Sequence, residues 1–76
     1  MPISWTHDTD RNIQRQAEIT IALVNGERIP VYTSDTAIDI HGRAKCRAVA
    51  SAKLRAAVKD GGLPEEILVT SADFTK

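Results

Sequence analysis

The sequence predicts a two-layer α+β fold, in which a small antiparallel sheet (a hairpin plus a C-terminal strand) is covered on one face by one main helix. Two patterns support this prediction: apolar residues alternate with polar ones over residues 16–32, and an alanine-rich segment follows at 43–59. Period-two alternation is typical of a strand with one buried face, and apolar residues at helical spacing indicate an amphipathic helix. A chain of 76 residues has room for one core, so we expect one domain, 1–76.

The composition is that of an ordinary soluble globular domain, with 42% hydrophobic residues, 26% charged residues and a formal net charge of zero. Its single cysteine, Cys46, excludes an intramolecular disulfide and favours a cytoplasmic location. Apolar runs fall short of the roughly 18 residues that a membrane span needs, and the first residues lack the pattern of a signal peptide. We therefore expect an intracellular protein that does not bind membranes.

The first half of the chain is predicted to contain an edge strand, a loop and a hairpin. Residues 3–5 are a short apolar start, and residues 6–15 are polar and rich in turn-forming side chains, so we expect a loop there. A hairpin should span about Gln16 to Tyr32, because Asn25-Gly26 is the commonest pair for a type I′ turn, in which both residues need positive φ. Pro30 cannot donate to a neighbouring strand and should mark an edge or a bulge.

The second half is predicted to contain two helices and a last strand. Good N-cap residues precede 36–41 and a C′ glycine, Gly42, follows it, which favours a short helix; alternating isoleucines make a strand the rival interpretation. The main helix should run over 43–59 and end at the Asp-Gly-Gly that follows. A strand over 67–70 and an anchoring Phe74 should complete the fold.

Alternation in the hairpin and the apolar stripe of the helix together predict the hydrophobic core. In the first hairpin strand the larger apolar side chains occupy every second position, so we expect them to face the helix. Aspartate in place of Ile19 or Leu54 should then unfold the domain, because an unpaired buried carboxylate costs several kcal/mol. The predicted core residues are Ile19, Ile21, Leu23, Ile29, Val31, Val49, Leu54, Val58, Ile67 and Val69.

Two long stretches of the chain resemble known proteins. They are LVNGERIPVYTSDTAIDIHG (residues 23–42) and AVASAKLRAAVKDGGLPEEILVTSADF (residues 48–74). The first is similar to the hairpin and first helix of DUF1488, a family of small bacterial proteins of unknown function, and the second resembles its closing helix, loop and strand. The chain departs from the family by having very little between Gly42 and the main helix. The resemblance implies a two-layer α+β fold and carries no activity over to any residue.

Two groups of side chains have the chemistry of ligands or nucleophiles. Residues 7–10 (His-Asp-Thr-Asp) are the densest set of metal-ligating types, but a metal site needs three or four converging ligands, and a polar turn is the simpler interpretation. Asp39, His41 and Cys46 could meet, and nearby arginines would lower the pKa of the thiol. However, Cys46 lies on the apolar helix face, where free cysteine is usually buried. We predict no catalytic residue, metal centre or cofactor.

The charges are distributed asymmetrically along the chain. Six Lys and Arg residues and no acid lie within 43–59, and the remainder holds all ten acids. The candidate binding residues on this basic helix are Lys45, Arg47, Arg55 and Lys59, because clustered cations can neutralise phosphates. The six charges are spread around the helix, and aromatic residues for base stacking do not alternate with them. A solvated helix that pairs with acids of the same fold is therefore the simpler interpretation.

The function predicted from these observations is that of a non-enzymatic interaction protein, an accessory or regulatory subunit that binds another protein. A second copy of the chain is one candidate partner, because exposed strand edges invite pairing and Ala48 and Ala52 leave a shallow outer helix surface. The alternative is a nucleic-acid-binding protein that uses the basic helix 43–59.

Overall fold

The computed structural model describes residues 3–74, with the exception of the side chains of residues 7–9. Within residues 3–74, four strands form one sheet in the order β1-β2-β3-β4, and the helices pack on one of its faces. The elements are β1 (Ile3–Asn12), β2 (Ala17–Val24), β3 (Glu27–Ser34), α1 (Asp35–His41), α2 (Arg43–Lys59) and β4 (Ile67–Val69), followed by a 3₁₀ turn at Ser71–Phe74. The predicted two-layer α+β class is confirmed.

The β2–β3 hairpin lies where the sequence predicts it. The two strands pair antiparallel from Val24 opposite Glu27 to Ala17 opposite Ser34, and the turn residues have φ of 53° and 85°, as a type I′ turn requires. Pro30 also lies at an edge, because β4 pairs with β3 only from Val31 onwards. The missing N–H of Pro30 therefore leaves no gap in a ladder.

The structure corrects the predicted loop over residues 6–15. β1 continues to Asn12 and pairs antiparallel with β2 on both sides of an irregularity between Trp5 and Thr9, and the turn is confined to residues 13–16. Polar and charged residues are tolerated in an edge strand, where they discourage pairing with other chains. A composition typical of a loop therefore belongs here to a strand.

The last strand runs in the opposite direction to that predicted. β4 pairs parallel with β3, with Val31 opposite Ile67 and Thr33 opposite Val69. The 17 residues of α2 extend about 25 Å, and the 8 residues of β3 extend about 26 Å. The helix therefore returns the chain to the end of the sheet where β3 began, and a strand that starts there must run parallel to β3. The sheet is antiparallel in its β1–β3 part alone.

Gly42 alone connects the two helices. It ends α1 and precedes α2 with φ 87° and ψ 155°, its N–H donates to the Ile38 carbonyl at 2.8 Å, and its carbonyl accepts from the Cys46 N–H at 3.2 Å. The short helix, rather than a strand, is confirmed for the segment before it. Within residues 3–74, neither helix combines the length and the apolar character needed to cross a bilayer.

The core lies between the sheet and the two helices. Of the predicted core residues, Ile29, Val31, Leu54, Ile67 and Val69 are buried. Val49 is partly buried and packs against the core, and Val58 is only partly buried. The buried cluster consists of Ala22, Val24, Ile29, Val31, Ala37, Cys46, Ala50, Leu54, Ile67 and Val69.

The predicted facing of β2 is wrong. Thr20, Ala22 and Val24 are the buried residues of its second half, whereas Ile19, Ile21 and Leu23 are only half-buried and do not belong to the core. The partners that α2 offers are small residues such as Cys46 and Ala50, and close packing against them favours small residues in the strand. The larger side chains therefore lie on the other face. Aspartate at position 19 would not enter the core, so the unfolding prediction stands for Leu54 alone.

Candidate interaction surfaces

The sheet face turned away from α2, here called the open face, is apolar. Because side chains alternate along a strand, the residues of β2 that are absent from the core lie on it together with their cross-strand partners. Ile19, Tyr32 and Leu68 form one row across three strands, and Ile21 lies beside Pro30. The apolar residues of the open face are Ile19, Ile21, Leu23, Pro30, Tyr32 and Leu68.

The patch is contiguous and moderate in size. Leu68 is 48% exposed, and the other five side chains are partly exposed between their neighbours. From the strand rise and spacing, each side chain on one face of a sheet occupies about 33 Å², so the six cover about 200 Å². The largest apolar patch on a monomer is typically roughly 300–600 Å². The open face is therefore a continuous apolar patch somewhat smaller than the largest patch of a typical monomer.

Charged side chains lie at the margins of the open face. Asp10 on β1 is level with Ile19, and Arg28 on β3 is level with Leu23, so the two charges occupy diagonally opposite corners. Both residues are exposed. At another margin, the Arg15 guanidinium lies 4.6 Å above the centre of the Tyr32 ring. The face is thus an apolar centre with a charged rim, an arrangement common in protein interfaces.

Sequence reasoning missed the open face because it assigned the three open-face residues of β2, Ile19, Ile21 and Leu23, to the core. A signal was available: Ala22 and Val24 make the second face of β2 apolar as well. A strand that is apolar on both faces is typically covered on both, and a chain with one main helix can cover only one.

The second candidate surface is the outer face of α2, formed by the exposed residues Lys45, Ala48, Ala52, Arg55 and Lys59. All five point away from the sheet, so Ala48 and Ala52 lie on the outer helix surface that the sequence predicts. The three cations span about 21 Å along the helix axis. Among the described residues, none of the three has a hydrogen bond or ion pair with the rest of the chain.

Arg43, at the start of α2, is engaged by β2. Its Nε and Nη2 donate to the two Glu18 carboxylate oxygens at 3.2 and 2.9 Å. The hydrogen bond from Arg43 lowers the pKa of Glu18, and burial opposes that effect. This two-bond geometry is the strong form of a guanidinium–carboxylate contact, so Arg43 ties the helix to the sheet rather than offering its charge to a partner.

Two other cations of α2 are also engaged. Lys53 Nζ is 2.8 Å from the Asp73 carboxylate and donates to the Leu68 carbonyl at 2.6 Å. Burial, the largest influence, raises the pKa of Asp73, but the contacts with Lys53 and the backbone outweigh it and lower that pKa. The predicted binding residue Arg47 lies over the Trp5 ring at 5.1 Å. The basic helix therefore offers about half of its charges to solvent.

The predicted group of Asp39, His41 and Cys46 does not form a reactive site. Cys46 is 2% exposed, and burial raises the pKa of its thiol, whereas a reactive cysteine needs a lowered pKa. The His41 ring is stacked on Phe74 with centroids 3.9 Å apart. Across the described side chains, no three His, Cys, Asp or Glu residues are grouped to hold a metal. Of the predicted His-Asp-Thr-Asp segment at 7–10, only the side chain of Asp10 lies within the described part of the structure.

Two depressions lie near the start of α2. A cleft between the sheet and the helix, next to Cys46, has a volume of about 20 Å³, room for about one water molecule. An open groove of about 290 Å³ is lined by charged residues and crossed by the Arg11–Asp35 and Arg43–Glu18 ion pairs. Ligand pockets are typically apolar clefts of roughly 300–1,000 Å³. The cleft is far smaller than that, and the groove, although close to the lower limit in volume, is lined mainly by charged rather than apolar side chains.

No protein-family model matches the chain, and searches of curated proteins and of solved structures give no significant match. The resemblance to DUF1488 therefore stays a prediction.

Proposed function

We propose that this protein is a non-enzymatic interaction domain, acting as an accessory or regulatory subunit, that binds another protein through the open face of its sheet. The observation that carries the proposal is the facing of β2, which directs Ile19, Ile21 and Leu23 away from the core. Burying about 200 Å² of apolar surface is worth about 5 kcal/mol before the cost of association. Covering the open face therefore contributes favourably to binding a partner.

Two further observations support binding rather than catalysis. Cys46, the single thiol of the sequence, is buried in the core on the sheet-facing side of α2. The cleft beside it is also too small for a substrate. The free, buried thiol is compatible with a reducing, cytoplasmic environment.

The experiment is affinity capture from the native cell's lysate with three variants. Ile21→Lys places a charge at the centre of the open face, and the outer-face variant Lys45→Glu/Arg55→Glu/Lys59→Glu reverses the helix charges. Ile40→Lys is the control, because Ile40 is an exposed apolar residue of α1 (63% exposed) that belongs to neither surface.

We expect Ile21→Lys to lose the bound protein, and Ile40→Lys and the outer-face variant to retain it. Circular dichroism of each variant establishes that it is folded. Retention of the same partner by folded Ile21→Lys would refute the proposal.

A second candidate function is nucleic-acid binding through the outer face of α2. It is supported by the three exposed cations Lys45, Arg55 and Lys59. None of the three forms an ion pair with an acid in the described part of the chain. Three phosphate contacts predict a slope of about −3 for the logarithm of affinity against the logarithm of salt concentration. Binding that is nuclease-sensitive, has that slope and is lost in the outer-face variant would favour this function over the first.

A further inference from the structure

We propose that the partner accommodated by the open face is a second copy of this chain, packed sheet against sheet about a two-fold axis that passes through Ile21. This inference rests on the proposed function and specifies its partner. It follows from the positions of two rim charges, Asp10 and Arg28, relative to the apolar patch; the third, Arg15, is already paired with Glu66 at 3.0 Å.

The registers of the strands place Ile21 midway between these two charges. Asp10 is level with Ile19 on the neighbouring strand, and Arg28 is level with Leu23 on the other side. Ile21 lies halfway between 19 and 23 along β2, and β2 lies halfway between β1 and β3 across the sheet. A two-fold axis through Ile21 and perpendicular to the Asp10–Arg28 line therefore exchanges the two charged positions.

Two copies related by this axis complement each other in charge. Asp10 of each copy lies over Arg28 of the other, which gives two equivalent ion pairs, as an isologous interface requires. A uniformly acidic or uniformly basic partner would match one corner of the face and be repelled at the other. The rim therefore favours a partner with a cation opposite Asp10 and an anion opposite Arg28, and a second copy of the chain about this axis supplies both.

The same axis gives a recognised mode of sheet packing. Asp10 and Arg28 are separated by two strand spacings and four residue steps, about 10 Å across and about 13 Å along the strands. Exchanging them crosses the strands of the two sheets at roughly 70°, close to the orthogonal class of sheet packing. Leu68, in the row of Ile19 and two strands away, then lies close to the axis and meets Leu68 of the other copy.

The expected area fits a weak, reversible dimer. Two apolar patches of about 200 Å² each and their rims bury less than about 1,000 Å² in total, below the usual range of stable interfaces and in that of transient ones. We therefore expect a dimer with a dissociation constant on the order of 100 micromolar, and monomers at lower concentrations.

The first test is charge reversal with sedimentation equilibrium over a range of protein concentrations. Each single variant, Asp10→Arg or Arg28→Asp, replaces two attractive pairs by two repulsive ones, because the axis repeats the contact. The dissociation constant should rise by at least about tenfold in each, and the double variant should restore it. Ile40→Lys is the control that should leave it unchanged.

The second test examines the position of the axis by oxidative cross-linking. Leu68→Cys in a Cys46→Ala background should form a disulfide-linked dimer much faster than Ile40→Cys in the same background. If Cys46→Ala does not fold, the comparison is made with Cys46 retained, because its side chain is 2% exposed.

Wild-type protein that stays monomeric at all concentrations would overturn the self-association, as would a dimer insensitive to the single reversals or equal cross-linking at positions 68 and 40. These results are distinct from failure of the proposed function. If the protein is monomeric, still captures another protein and loses it in the Ile21→Lys variant, then the self-association is wrong and the proposed interaction function stands. Absence of both the dimer and a captured protein overturns both.

Discussion

Replacing Gly42 with alanine tests how far the connection between α1 and α2 depends on one backbone conformation. With φ 87° and ψ 155°, Gly42 lies in a region that is essentially restricted to glycine. An alanine Cβ at this position would have no heavy atom within 4 Å. The cost of Gly42→Ala therefore comes from the backbone alone and not from a steric clash.

The expected magnitude follows from two opposing contributions. Holding a non-glycine residue in such a conformation costs about 1–3 kcal/mol, and the reduced freedom of alanine in the unfolded chain offsets about 0.4–1 kcal/mol. We expect Gly42→Ala to lower the free energy of unfolding by about 1–2 kcal/mol, from a total of about 4–11 kcal/mol for a chain of this length. The melting temperature should fall by about 5–15 °C.

The assay is urea and thermal unfolding followed by circular dichroism, at a protein concentration low enough to keep the chain monomeric. Gly62→Ala is the matched control, because Gly62 also has open space around its Cβ position and does not have a positive φ in the glycine range. It should change the free energy of unfolding by less than about 0.5 kcal/mol. Equal stability of Gly42→Ala and Gly62→Ala would refute the argument that the connection requires glycine.

Three further predictions concern single side chains. Leu54→Ala should lower the free energy of unfolding by about 2–5 kcal/mol because Leu54 is fully buried, whereas Ile21→Ala should cost about 1 kcal/mol or less; equal losses in denaturant titrations would contradict the observed facing of β2. The pKa of Glu18 is lowered in the folded state by Arg43, so its stabilisation is present above about pH 4.5 and is lost as the pH falls through the folded-state value. Unfolding titrations should therefore show a shallower acid destabilisation in Glu18→Gln, and an unchanged pH profile would count against the ion pair. Cys46 should react with a thiol reagent at neutral pH much more slowly than a free thiol and at full rate in urea, and a fast reaction in the folded protein would show that the thiol is accessible.

The elements with local signals could be predicted from the sequence. The Asn25-Gly26 pair determines the turn of the hairpin, and Gly42 and the Asp-Gly-Gly at 60–62 delimit α2. Each of these signals depends on the backbone preference of one to three residues and not on distant contacts. For this reason the boundaries of α2 agree with the prediction at both ends.

The features that depend on distant contacts could not be predicted in the same way. Which face of β2 is buried depends on how close α2 lies, and the sequence of β2 is apolar on both sides. The direction of β4 depends on the length of α2 relative to β3. Whether a basic residue of α2 forms an ion pair depends on acids far along the chain. Arg43 and Glu18, for example, are 25 positions apart. The candidate surfaces therefore emerge only when the strands and helices are placed together.

The parallel pairing of β4 has a consequence for the order of folding. The β2–β3 hairpin closes over a two-residue turn, whereas Val31 and Ile67 are partners across the whole α1–α2 crossover. Closing a longer loop costs more chain entropy, and non-local pairing is correspondingly slow. We expect the hairpin to form early and β4 to dock late. Until α2 and β4 dock, the helix-facing side of the hairpin is exposed in addition to the open face, and a state with both faces exposed is prone to aggregate.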